Sequence, residues 1–430
     1  MAFYAAYSFF KITGLEISEV NLRVFNLIIH FFTGWILYLV LLQLFNKTLN
    51  DPIYWPGLIG FMLYMLSPGT LLFHSEIYFA DILVQPFFLL QILFFLKWRQ
   101  NKKNSDFAFL LLFSVIAIYT EWLGIFSLFI IFCLILIEKG VSFKSKLPFL
   151  SLIGGATIFI LSLLIWQYSS IDGWDSLYES LSKKYQMRSG FSGEEASEYG
   201  FSLSNPESYS FLEGHYNKWF LPDINLIGIV SFLFLLGIVF LKKVRPHLNQ
   251  YHLLILLIFP VLIHLFVFFN FNVVHDMGSL KVMTIAFVLI SLMVHRINLG
   301  MPSNRYKILL FLAIMPLTAF KCYQSVEHYR AEMPLHFHGD FQMKIGEMCK
   351  EFSKQEDIIM TNAYVVPELM FYCKRNLIGV GDTSEQRKRM LEWGVPSTLF
   401  FKVDGAQFKE AYRMDRVGDS IAVKVIHSPQ

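Results

Sequence analysis

Apolar residues in this chain gather into blocks separated by short charged or Pro/Gly-bearing breaks. The blocks run near 22–45, 54–73, 78–97, 107–121, 123–138, 147–167, 224–241, 252–270, 279–295 and 307–322. A helix needs roughly 20 apolar residues to cross a hydrocarbon core, and most blocks approach that length. The pattern predicts about ten membrane spans. One long polar interval, 168–223, is rich in Ser, Tyr, Gly and Glu, as in Gly190 to Glu195, and reads as a loop of a length that is usually functional or disordered, substrate gating being one option.

From about 331 the pattern becomes that of a soluble domain. Phe341 to Phe352 predicts a helix, Asp357 to Thr361 a strand, Pro367 to Tyr372 a helix or strand, and Asn376 to Val380 a strand. Ser384 to Gly394 then predicts a helix, and Ser397 to Val403 and Ile421 to Ile426 two strands. Helices alternating with strands suggest a small α/β sandwich. The expected architecture is therefore a polytopic α-helical membrane domain over 1–322 followed by a soluble α/β domain over 323–430. No GxGxxG or P-loop sequence supports nucleotide binding.

Charge fixes an orientation for this arrangement. Lys and Arg accumulate in short cytoplasmic loops, and here they cluster at Lys97/Arg99/Lys102/Lys103, Lys139/Lys144/Lys146, Lys242/Lys243/Arg245 and Arg296/Arg305/Lys307. Counting spans alternately puts every cluster on one side. The other side receives His74 to Glu76, the Glu121/Trp122 break, the 168–223 interval, the Asn270 to Gly278 turn and everything after about 323. The same parity places residues 1–21 outside the cytoplasm without a signal peptide to carry them there. A span upstream of residue 1 is the simplest expectation.

Composition agrees with lipid as the solvent: 55% hydrophobic residues and only 16% charged, against about a quarter charged in soluble domains. A net charge of +3, held in inter-span loops, gives no reason to expect nucleic acid. Cys133, Cys322, Cys349 and Cys373 show no CxxC or zinc-ligand spacing and read as unpaired thiols, although Cys349 and Cys373 could pair in an oxidising compartment.

Ionisable residues in and beside spans are costly and mark water-filled or substrate sites. Arg23 and, two turns deeper, His30 lie on the first block. His74, Glu76 and Asp81 surround the start of the third, Glu121 separates the fourth from the fifth, and His275, Asp276 and Lys281 precede or begin the ninth. One outward-opening cavity would explain all of them. For Arg23, His74, Glu76 and Lys281 an equally simple reading is snorkelling or helix capping at the interface, and for His30 a satisfied histidine inside the bundle. Asp81 resists that reading, because it falls a turn inside an apolar helix and a carboxylate has no long stem. His275, Asp276, Asp81 and Glu76 combine hard oxygens with imidazole, which suits a divalent metal ion as a candidate cofactor, although their spacing matches no known ligand pattern. His336 and His338 form a short His-x-His that reads more simply as surface histidine.

Several motifs resemble one family. Glu19-Val-Asn-Leu-Arg-Val-Phe-Asn26 running into a span, and Ser67-Pro-Gly through His74-Ser-Glu-Ile-Tyr-Phe-Ala-Asp81, resemble the dolichyl-phosphate-mannose protein mannosyltransferase and aminoarabinose transferase superfamily, polytopic glycosyltransferases of the GT-C type. Tyr119-Thr-Glu-Trp122 and Val274-His-Asp-Met277 look like two further family breaks. Asp357-Ile-Ile-Met360, Phe371-Tyr-Cys-Lys-Arg375 and Leu391-Glu-Trp-Gly-Val395 are similar to segments of its C-terminal domain. Each motif is loose alone; their order and topology together give the resemblance its specificity. The family's first span and the acidic pair of its first outer loop would lie before residue 1. Lys281 and Met283 stand where the late-span turn often leads to a Pro.

The resemblance implies a membrane-embedded enzyme, in a bacterial inner membrane with the C-terminal domain outside the cytoplasm. It would move a sugar from a polyprenyl-phosphate carrier to a lipid, glycan or protein acceptor. On that reading Arg23 or Lys281 would hold the donor phosphate, Asp81 and Glu121 would be catalytic, and His74, Glu76, His275 and Asp276 would line the substrate pocket. Two rivals remain open at the level of sequence: a lipid-linked sugar flippase, and a truncated inactive relative.

Overall fold

The computed structural model describes the chain except for positions 1, 17, 49–53, 77–79, 190–202, 221, 241–247, 276–277, 337–338, 355–356, 363–372, 374–376, 381–382, 395–396, 405–406, 418–419 and 428–430. The chain divides into two compact units, Met1–Arg330 and Ala331–Gln430.

The first unit is helical: α1 (Ala2–Thr13), α2 (Glu19–Leu44), α3 (Trp55–Leu66), α4 (Pro68–Glu76), α5 (Ala80–Asn101), α6 (Asn104–Thr120), α7 (Leu123–Leu136), α8 (Phe143–Asp172), α9 (Trp174–Arg188), α10 (Pro206–Phe220), α11 (Pro222–Phe240), α12 (Leu248–Val267), α13 (Phe269–Val274), α14 (Ser279–Gly300) and α15 (Asn304–His336). Each of the ten apolar blocks is helical. Helices α2, α5, α8, α14 and α15 contain stretches long and apolar enough to cross a membrane, and α3 with α4 makes a sixth. Shorter apolar helices in α6, α7, α11 and α12 account for the remaining blocks.

Burial sorts these rods into centre and rim. In α5 and α14, 78% and 67% of the apolar window is buried, against 17% in both α8 and α15. The rim helices expose Ile158, Phe159, Trp166, Leu309 and Leu312. Such a surface needs acyl chains rather than water, so the unit is an integral membrane bundle.

The 54–73 block departs from a straight span. Its two helices meet at 53°, because Pro68 forces the preceding residue out of the helical region and Ser67 is extended, with φ −74° and ψ 148°. The Ser67 hydroxyl then meets Thr70 Oγ1 at 2.7 Å and accepts from the Thr70 N–H at 3.4 Å, starting α4 afresh. The expectation of a loop over 168–223 is corrected: α9 and α10 occupy much of its described part. Their apolar residues come at helical intervals rather than in a block. Trp174, Tyr178, Leu181 and Tyr185 make one exposed stripe along α9. The predicted Asn270–Gly278 turn likewise contains most of α13.

The second unit holds α16 (Gly339–Phe352), α17 (Thr383–Trp393) and strands β1 (Ile358–Thr361), β2 (Leu377–Gly379), β3 (Ser397–Asp404), β4 (Gln407–Val417) and β5 (Ser420–His427). They form one sheet in the order β2-β1-β3-β4-β5. Strand β1 is parallel to β2 and β3, and β3, β4 and β5 follow as an antiparallel meander. Ile345 and Cys349 of α16 pack with Ile359, Leu399 and Phe401 on one face. Gln386 of α17 donates to Thr398 Oγ1 at 2.9 Å on the other, where Met360 and Phe400 lie. Helices on both faces suit the parallel part of the sheet. Strand β4 is absent from the expectation because it is rich in charge, yet its charges are paired: Arg413 grips Asp357 at 3.0 and 3.2 Å, and Asp415 accepts from Ser397 at 2.6 Å. Cys133 and Cys322 are free thiols. Pro367 to Tyr372 lies outside the described residues.

Candidate functional site

The site begins with the break between α6 and α7. The chain leaves α6 at Glu121, whose backbone is extended at φ −165° and ψ 158° while its N–H still bonds Ala117 O. It re-enters helix at Leu123, whose N–H donates to Glu121 Oε2 at 3.0 Å. That carboxylate therefore sits at the positive end of α7, where a helix favours negative charge. Gly124 makes the tight reversal achievable. A Cβ there would fall 2.4 Å from Ala117 C and 2.5 Å from Ile118 N, both backbone atoms that cannot give way.

Two other helices bring side chains to the free oxygen, and a third joins the cluster through Lys281. Lys281, in the first turn of α14 and 1% exposed, places Nζ 3.3 Å from Glu121 Oε1 and 2.8 Å from Asp81 Oδ1, in the first turn of α5. His264 of α12, 2% exposed, places Nε2 2.6 Å from the same Glu121 oxygen and 2.9 Å from Lys281 Nζ. In the tautomer that donates Nε2–H to the carboxylate, Nε2 does not accept from the Lys281 ammonium. Nδ1 is then an acceptor, and it is buried with no partner among the described residues. Two carboxylates and one ammonium leave the cluster with one negative charge when the imidazole is neutral.

Asp81, Glu121 and Lys281 are thus brought together as their sequence context suggests. His264 is the member sequence reasoning missed. The only available signal was a histidine inside the 252–270 block, which looks the same whether it is structural or reactive. Lys281, expected as a phosphate holder, is instead engaged by two carboxylates.

The other expected residues lie elsewhere or are not described. His74, fully buried, joins α2 and α3 rather than the cluster: its Nε2 is 3.2 Å from Tyr64 OH, its ring is 4.6 Å from that of His30, and His30 Nε2 lies 3.0 Å from Met65 O. Arg23 is half-buried in the early turns of α2. His275 ends α13, with its ring 4.6 Å from Phe271. The Glu76 side chain, Asp276, His338, the His336 side chain and the Lys242/Lys243/Arg245 cluster fall outside the described residues. Among the described residues no group of three or more His, Cys, Asp and Glu is placed to hold a metal ion.

The fold has a known counterpart. The crystal structure of ArnT from Cupriavidus metallidurans in the apo state superposes with a TM-score of 0.54 at 11% identity, covering 88% of this chain and 78% of that one. The chain has a GT-C-like fold. At this identity the likeness speaks of fold alone. No family model and no curated protein sequence matches the chain.

Proposed function

We propose that the chain is a membrane glycosyltransferase that moves a sugar from a polyprenyl-phosphate carrier to an acceptor outside the cytoplasm. The observation that carries this reading is the buried Asp81–Lys281–Glu121–His264 cluster at one end of a GT-C-like bundle. The family resemblance in the motifs around Asp81 and Glu121 supports it.

In such a transfer the bond from the anomeric carbon to the phosphate oxygen breaks, and a bond to the acceptor oxygen forms. The acceptor proton must leave, and positive charge develops on the sugar ring. A cluster with one surplus negative charge in a water-poor site stabilises that charge electrostatically. Asp81, at 8% exposure the cluster's carboxylate nearest the first turn of α5, orients the sugar or the incoming hydroxyl. His264, held by Glu121 through Nε2, offers Nδ1 to the departing proton, the logic of a carboxylate–histidine pair. Lys281 is the counter-ion that lets two carboxylates share this space. Arg23, which the family resemblance also offers as a phosphate holder, is the other candidate for the leaving group.

Read as cytoplasmic loops, the basic clusters support a reading in which this end of the bundle, and the C-terminal unit, lie outside the cytoplasm. The acceptor class stays open among lipid, glycan and protein.

Reconstituting the purified chain in nanodiscs with labelled polyprenyl-phosphate hexose and a membrane-derived acceptor fraction tests the reading. Wild type should transfer label covalently. Asp81→Asn should lower turnover at least about a hundredfold, the usual scale for a positioned acid–base or electrostatic group. It should also stay folded, because Glu121 keeps a carboxylate 3.3 Å from the Lys281 ammonium. Movement of lipid between leaflets without covalent transfer would replace this reading with a flippase.

A further inference from the structure

Gln85 is the one member of its helix face whose chemistry the cluster leaves unused. It lies four residues after Asp81 in α5, and residues at that spacing stack on one face of a helix. Asp81 is therefore in contact with Lys281 while Gln85 lies one turn deeper along the same face. Its side chain is fully buried, and neither its carbonyl oxygen nor its amide nitrogen has a hydrogen-bond partner among the described residues. The next residues on that face, Phe88 and Ile92, are buried and apolar.

A buried amide with both ends unpaired costs the folded protein desolvation energy. By contrast the other buried glutamine of α5, Gln91, donates to Ser114 Oγ at 2.8 Å. The same helix thus pairs the amide of Gln91, whose carbonyl oxygen has no partner among the described residues, and leaves both ends of Gln85 without one.

We propose that the Gln85 carboxamide reads hydroxyl groups of the sugar carried by the lipid-linked donor. A carboxamide offers an acceptor and two donors side by side with no net charge, which suits a neutral diol, whose hydroxyls both donate and accept. It does not suit a phosphate, which needs donors and positive charge. This specificity contact rests on the glycosyltransferase reading and deepens it: the sugar ring would lie along the Asp81–Gln85 face, with its reacting carbon nearer the charged cluster.

The test uses the full chain in nanodiscs and two probes, citronellyl phosphate and its hexosyl ester. Gln85→Met keeps length and volume and removes the unpaired polar atoms, so its melting temperature should equal or exceed that of wild type. Binding of the hexosyl ester should weaken about five- to tenfold, the scale of one or two neutral hydrogen bonds. Binding of bare citronellyl phosphate should change less than about twofold. In the transfer assay the same variant should raise the donor KM by a similar factor with kcat nearly unchanged.

Equal loss for both probes, or no loss for either, would overturn the assignment of Gln85 while leaving covalent transfer by wild type intact. A fall in melting temperature without a difference between probes would mark a structural role and also overturn it. Failure of wild type to prefer the hexosyl ester would remove the glycosyltransferase reading and this contact together.

Discussion

Lys281 illustrates how one side chain holds a site together. Its ammonium is buried between Asp81 and Glu121, and taking it away would leave two carboxylates in an apolar bundle without a cation. Breaking a buried pair in this way costs about 3–5 kcal/mol. Lys281→Met is therefore expected to melt far below wild type in thermal scans followed by tryptophan fluorescence, whereas Asp81→Asn should melt close to it. A Lys281→Met protein as stable as wild type would show that the ion pairs contribute nothing. At this scale the sequence spoke unevenly. Asp81 was legible because a carboxylate one turn inside an apolar helix has no innocent place to go. Glu121 was legible as the break in a long apolar run. His264 was not, since its role depends on which neighbour reaches it across 143 positions, and nothing local encodes that. His74 shows the opposite error: a polar residue beside Asp81 in sequence that turns to Tyr64 and His30 in space.

Among the elements, the α6–α7 reversal carries the largest consequence for its size. Only a residue without a Cβ lets the first turn of α7 press against the backbone of Ala117 and Ile118. Gly124→Ala should displace Glu121 from Lys281 and His264. The expected result is loss of transfer with the helical circular dichroism retained, and full activity in that variant would mean the reversal tolerates adjustment. Element type was legible wherever the apolar period was strong. It failed where the signal was of another kind. Helix α9 carries a stripe at Trp174, Tyr178, Leu181 and Tyr185 inside an interval whose overall polarity read as loop. Strand β4 hides its pairing behind Arg413 and Asp415, whose partners Asp357 and Ser397 belong to other segments.

For the whole molecule, the blocks and the change of pattern near 331 were legible because lipid and water select different residues over tens of positions. Orientation remains an inference from Lys and Arg placement, and it has a direct check. In a cysteine-free background, Glu179→Cys on the exposed polar side of α9 should react with a membrane-impermeant maleimide in intact cells. Lys103→Cys, exposed just before α6, should react only after permeabilisation. The reverse pattern would invert the protein and put the charged cluster on the cytoplasmic side. The cluster also bears on how the protein is made. Glu121 and Lys281 lie 160 positions apart, and a ribosome working at about 5–20 residues per second needs roughly 8–32 s to cover that distance. During this interval Asp81 and Glu121 have entered the bilayer or its insertion machinery while their counter-ion is still unsynthesised. The nascent chain must keep the α5–α7 segment hydrated, protonated or sheltered until α14 arrives, so its biogenesis depends on an attendant environment that the finished protein no longer needs.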